Sequence, residues 1–109
     1  MSARRPLAEQ ALERTLALPG AALRPSRFGD GPAAWLAGRE VLHLHGPGEV
    51  DLRLGKALIR DLKVGEDPRA THRKGSDWIA IRLATATDVS FVVGLVTALA
   101  EPLNKKPPA

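Results

Sequence analysis

The order of elements along the chain predicts an α+β domain, in which a small antiparallel sheet packs against an N-terminal helix, a middle helix and an apolar C-terminal helix. Three observations carry this. Apolar residues recur at helical spacing in three places, they alternate in the stretches between, and Gly/Pro clusters punctuate the boundaries. With 109 residues the chain is one domain long.

Pro6 suits a first helical turn, and Ala8, Leu12 and Leu16 follow at every fourth position until Leu18-Pro19-Gly20 ends the run, so the spacing predicts a helix over 6–18. Residues 21–28 read as an extended edge segment, because Pro25 cannot donate to a sheet ladder. A turn at 29–32 leads into a strand at 33–37, a tight turn at Gly38-Arg39 and a strand at 40–45. Alternation in that strand puts Val41, His43 and His45 on one face and Leu42 and Leu44 on the other. After Gly46-Pro47-Gly48 comes a short strand at 50–52. Leu54, Leu58, Ile59 and Leu62 then mark an amphipathic helix over 54–63, with the three leucines inward.

Residues 64–76 read as a polar loop, and 77–83 as the clearest strand, with Trp78, Ala80 and Arg82 opposite Ile79, Ile81 and Leu83. Thr87 is placed to cap the last helix, with Asp88 in its first turn, and Pro102 to stop it after Glu101. That helix is apolar nearly all round, from Val89 to Leu99, so it is expected to pack on two sides: centrally over the sheet, or against a second copy in a homodimer. Residues 1–5 and 102–109 read as flexible ends around a domain at 6–101.

The absence of cysteine excludes disulfide scaffolds, zinc ribbons and thiol chemistry. Charges at Arg4, Arg5, Glu9 and Glu13 interrupt any signal-peptide pattern, and Val89–Ala100 falls short of the ~20 residues of a membrane span. The expectation is a cytoplasmic protein without a membrane segment. The formal charge of +4 and pI near 10.1 point to nucleic acid at first sight. Arg4, Arg5, Lys105 and Lys106 account for all of it, and residues 6–104 hold 12 Lys+Arg against 12 Asp+Glu. The wealth of Ala, Arg, Pro and Gly also matches GC-rich coding, which favours arginine without any functional cause. Two Trp, two Phe and no Tyr leave little for bases to stack on, which disfavours nucleic acid further. Ser26, Ser76 and Ser90 lack a nucleophile-elbow context, and no Gly-rich phosphate loop occurs.

His43 and His45 are the most pointed chemical signal, since residues two apart on a strand present two imidazoles to one side. Asp51 follows the Gly-Pro-Gly turn, and His72 lies in a loop able to fold over the same face. Three imidazoles (His43, His45, His72) and a carboxylate suit a divalent zinc, iron or manganese ion, and no other cofactor is indicated. The same groups suit proton transfer near neutral pH, or a structural pair hydrogen-bonded to Glu49 and Asp51. A likeness to the metal motif of cupin barrels fails, because Gly38 and Gly55 are each one residue out of place and the second cupin motif is missing. Trp78, on its strand, is a core residue or a platform for a ligand. Arg53, Lys56, Arg60 and Lys63 fall along one side of the middle helix and, with Arg73 and Lys74, form a candidate phosphate-binding ridge. The plainer reading is a solvated face, diluted by Asp61, Glu66 and Asp67.

The stretch Gly38-Arg39-Glu40, His43-Leu44-His45-Gly46 and Asp51-Leu52, followed by Thr71-His72, Ser76-Asp77-Trp78 and Thr87-Asp88-Val89, resembles the small bacterial and fungal proteins of the luciferase domain family. Arg27-Phe28-Gly29 upstream fits the same pattern. Two positions depart from it: Arg73 stands where a second loop histidine is usual, and Asp77 where a glycine precedes the tryptophan. The resemblance implies an arrangement of motifs and no particular reaction, light emission included. The expected function is therefore a non-catalytic module that holds a small ligand or protein segment on the face of His43, His45, Asp51, His72 and Trp78. A metal-dependent or histidine-based enzyme, and a nucleic-acid binder using the basic ridge, are the alternatives.

Overall fold

A computed structural model describes residues 5–105, with side chains through residue 103. The termini expected to be flexible thus lie largely outside the described residues. Within them, Arg5 pairs with Glu13.

Three helices and a six-stranded antiparallel sheet follow the predicted order, except that the expected loop at 64–76 contains a 3-10 turn and a short strand. They are α1 (Leu7–Leu16), β1 (Ala21–Pro25), β2 (Pro32–Leu36), β3 (Arg39–Leu44), β4 (Glu49–Arg53), α2 (Lys56–Asp61), β5 (Ala70–Thr71), β6 (Trp78–Arg82) and α3 (Ala86–Lys105). The strands lie in the order β1-β2-β3-β4-β6-β5, so β1 is an edge, as its proline requires. Successive hairpins build β1 to β4. The chain then leaves through α2 and a 3-10 turn at Val64–Glu66, and β5 returns to the far side of β6.

One face of the sheet is the core. Ala34, Leu36, Leu42, Val50, Leu52, Ile79 and Ile81 meet Ala8, Ala11 and Leu12 of α1 and Val89, Val92 and Val96 of α3. Burying such side chains stabilises a fold by roughly 1.5–3 kcal/mol each. With both helices on this side, the opposite face of β3, β4 and β6 is left for polar residues.

Four local expectations are corrected. The β2–β3 turn is Ala37-Gly38, not Gly38-Arg39: both residues have positive φ (51° and 79°), as the twist of a two-residue hairpin demands, and Arg39 pairs with Leu36. Val41 does not share the face of His43. Ala34 pairs with Leu42 but Trp35 pairs with Glu40, so Val41 is an extra residue without a partner on β2. This β-bulge sends both Val41 and Leu42 into the core. The middle helix is shorter than 54–63. It ends at Asp61, Lys63 turns left-handed (φ 54°), and Leu62 remains 47% exposed.

The last helix, fourthly, is capped by Thr85 rather than Thr87. Asp88 accepts from the backbone N–H groups of Ala84 (2.7 Å) and Thr85 (3.0 Å), and Thr85 Oγ1 accepts from that of Asp88. The helix also runs through Pro102 to Lys105. Proline forfeits one backbone bond, while Leu99 and Leu103 continue the contact with the core across it.

The stripe that α3 leaves exposed is Thr87, Ser90, Gly94, Thr97 and Glu101, small and polar. Of its apolar residues Val89, Val92, Leu95, Val96, Leu99 and Ala100 are buried within the chain, and half-buried Phe91 lies under the Arg69 guanidinium at 3.8 Å. Residues Ala86–Leu103 are long and apolar enough, at a mean hydropathy of 1.4, to meet the length and composition of a membrane span. Here that length serves to cross the sheet.

Candidate functional site

On the outer face the strand register dictates one row of side chains: Ala33 of β2, His43 of β3, Asp51 of β4, Ala80 of β6 and Thr71 of β5. His43 and Asp51 are direct cross-strand neighbours, flanked by small residues that leave room around them. His43 Nε2 lies 2.9 Å from Asp51 Oδ2, and His45 Nδ1 lies 3.1 Å from the same oxygen.

The other nitrogen of His43 is held as well. The bulge turns Glu40 to this face, and its Oε2 is 2.8 Å from His43 Nδ1. Glu40 is 1% exposed and accepts two further bonds at 2.6 Å, from Ser26 Oγ and from the backbone N–H of Arg27. Ser26 Oγ in turn accepts from the backbone of Phe28 and Gly29. Glu40 therefore ties the loop at 26–31 down over the face, and Gly29 lies against the His43 ring.

Burial alone would raise the Glu40 carboxyl, but the bonds from Ser26, Arg27 and His43 outweigh it and hold its pKa below the usual value. Asp51 follows the same logic: burial opposes, and His43 and His45 prevail and lower it. The hydrogen bond to Asp51 raises the pKa of His43, against burial and with support from Glu40, and a bond to Asp51 raises that of exposed His45 too. Two ionised carboxylates offer only acceptors. An imidazolium at His43, donating from both nitrogens, satisfies both carboxylates at once.

Aromatic rings enclose this charge. Trp78 packs on His43 with centroids 4.8 Å apart, Phe28 packs on Trp78 at 5.1 Å, and Arg53 stacks over Phe28 at 5.1 Å. Beside them opens a hollow of about 460 Å³ lined by Phe28, Asp51, Thr71, Arg73, Ser76 and Trp78. A second, of about 620 Å³, lies on the other side of Phe28 toward His45, Glu9 and Asp30.

Of the expected ligand set, His43, His45, Asp51 and Trp78 are thus brought together, and His72 is not. Its Nε2 donates to the backbone carbonyl of Ser76 at 2.9 Å, and its ring lines a different hollow. The expected metal set of His43, His45 and His72 therefore does not converge, and His43 has no free nitrogen for an ion. Among the described residues, His45, Glu49 and Asp51 are the group with ligand atoms within 4.8 Å of one another. The basic ridge divides in the same way. Arg53 and Arg73 belong to the aromatic side, Lys56, Arg60, Lys63 and Lys74 surround the hollow that holds His72, and Arg69 is engaged by Asp67 and Asp88.

Sequence reasoning did not pick out Glu40, Ser26 or Phe28 as site residues. The signal for Glu40 was a carboxylate beside three apolar or imidazole positions in a buried strand, within Gly38-Arg39-Glu40. Phe28 stands in the Arg27-Phe28-Gly29 segment, 55% exposed.

The comparisons with known proteins bear on these motifs. Neither the curated proteins nor the solved structures give a match to the chain. The model of the Luciferase domain family matches residues 38–99, which is more than half of the sequence and carries Glu40, His43, His45, Asp51 and Trp78. The chain belongs to the luciferase domain family.

Proposed function

We propose that the chain is a non-catalytic binding module that holds a small planar, polar ligand in the hollow between Phe28, Trp78 and Asp51. The carrying observation is the setting of His43, whose two nitrogens are both engaged by carboxylates and whose ring packs on Trp78. Such a ring forms one wall of the site and turns no free nitrogen toward a ligand. Phe28 and Trp78 supply aromatic surface, while Arg73, Thr71 and Ser76 supply polar groups around the same opening. A few polar groups set on an apolar wall are what orients a small ligand.

Nuclear magnetic resonance with a panel of aromatic carboxylates against their saturated analogues tests this. The aromatic members are expected to move the Trp78 indole N–H signal, and Phe28→Ala or Arg73→Gln to abolish the effect. A Trp78 signal that no compound moves, or movement indifferent to both variants, would refute the reading.

A second reading rests on His45, whose ring is 67% exposed and shares the Asp51 oxygen. A solvent-facing imidazolium can serve as a general acid, with Asp51 orienting it. Substrate turnover that falls with pH through the His45 titration, and vanishes in His45→Ala, would favour that alternative over simple binding.

A further inference from the structure

Away from the imidazole face, a hollow of about 560 Å³ lies between α2 and the loop before β6, with Ile59 at its floor and Lys56, Arg60, Lys63 and Lys74 around it. Arginine outnumbers lysine 11 to 5 in this chain, as GC-rich coding favours. Only three lysines fall between residues 6 and 104, namely Lys56, Lys63 and Lys74, and all three line this one hollow.

None of the three forms an ion pair among the described residues, whereas Arg60 is engaged by Asp61 at 3.0 Å. Arg69 is held by Asp67 and Asp88, and Arg82 donates to the carbonyl of Pro68. Glu66 is the one carboxylate on the lining. Residues 6–104 have no net formal charge, so these cations are a local excess and not a share of a basic surface. Like charges brought together without counter-ions repel, and a multiply charged anion between them removes that cost.

We infer that this hollow binds a small organic phosphate, the phosphoryl group between Lys56, Lys63 and Lys74 and the organic part over Ile59. A monoanionic carboxylate would leave most of the positive excess uncompensated. A phosphate monoester carries nearly two charges at neutral pH and offers three acceptor oxygens to three ammonium groups. A nucleic-acid strand fits less well, because Arg53 lies over Phe28 and Arg73 lines the other hollow, so neither extends the lysine cluster.

The test uses the full chain and four probes: phenyl phosphate, phenol, benzoate and a single-stranded DNA dodecamer. Phenyl phosphate is expected to shift the amide signals of Ile59, Gly65 and Gly75, and its affinity to drop as salt is added. Lys56→Gln with Lys63→Gln should weaken it by about a hundredfold, since each lost charge-assisted bond is worth about tenfold. Unchanged amide signals elsewhere would show that the double variant is folded. Phenol or benzoate acting as strongly as phenyl phosphate would overturn the assignment, as would binding indifferent to the double variant. DNA bound more tightly than phenyl phosphate would replace it with a strand-binding surface.

Discussion

The imidazole face and the lysine hollow both gather charge, and they do so in opposite ways. On the first, each charge has a partner of the other sign within hydrogen-bond reach: Glu40 with His43, His43 with Asp51, Asp51 with His45. In the second, three lysines line one hollow together with a single carboxylate. The difference teaches which region the fold depends on. Buried charges must be satisfied within the chain, and become part of its architecture. Exposed charges can remain unsatisfied, at the cost only of mild repulsion, and so remain free for something else.

The sharpest way to break this comparison is Glu40→Ala. It leaves a buried imidazolium, the Ser26 hydroxyl and the Arg27 amide without their acceptor, and should cost about 3–5 kcal/mol in urea unfolding. A loss below about 1 kcal/mol would mean that Glu40 is no linchpin. Asp51→Asn comes next, at about 1–3 kcal/mol, since it keeps the shape and removes the charge. Proton resonances should then show His43 and His45 titrating at lower pH than in the parent chain. If neither titration moves, Asp51 is not what holds their protons.

Stability against pH gives a smaller and signed effect. The folded pKa of His43 is raised, so its contribution is complete below the unfolded value of about 6.5 and fades as pH climbs through the folded value. Glu40 and Asp51 are lowered, so theirs is complete above about pH 4 and fades as pH drops through the folded values. The cluster should therefore stabilise most between about pH 4.5 and 6.5, and Asp51→Asn should flatten the alkaline limb of urea midpoints measured across pH. Equal alkaline limbs in parent and variant would refute this. The smallest effect belongs to the other region: Lys56→Gln with Lys63→Gln should leave the urea midpoint unchanged or slightly higher. A marked fall would show those lysines to be structural after all.

Alternation made much of the fold legible. The strand at 77–83 faces as its sequence pattern requires, and β1 is at an edge because of Pro25. His43, His45 and Asp51 could be placed on one side because all three follow the bulge, where period two holds. Glu40 could not, because a bulge is a matter of pairing across strands and leaves no mark in one strand's own pattern. The two-residue β5 is too short to show any period, and it exists because β6 offers it a free edge. His72 looked like a third imidazole by composition, yet its orientation is fixed by a bond to the Ser76 backbone, a tertiary fact. Thr85 and Thr87 are equivalent as sequence, and Asp88 three residues after Thr85 decides between them.

The extra residue in β3 makes that strand change parity part-way along. Even-numbered Glu40 and odd-numbered His43 look the same way because Val41 lies between them as a step out of phase. A β3 that lost Val41 would run without a bulge and keep Glu40 and His43 on one face, two positions apart, whereas a β3 that kept Val41 but paired regularly would turn Glu40 inward among the leucines. The link between Glu40 and His43 therefore rests on the irregular pairing of β2 with β3 as well as on the two side chains themselves.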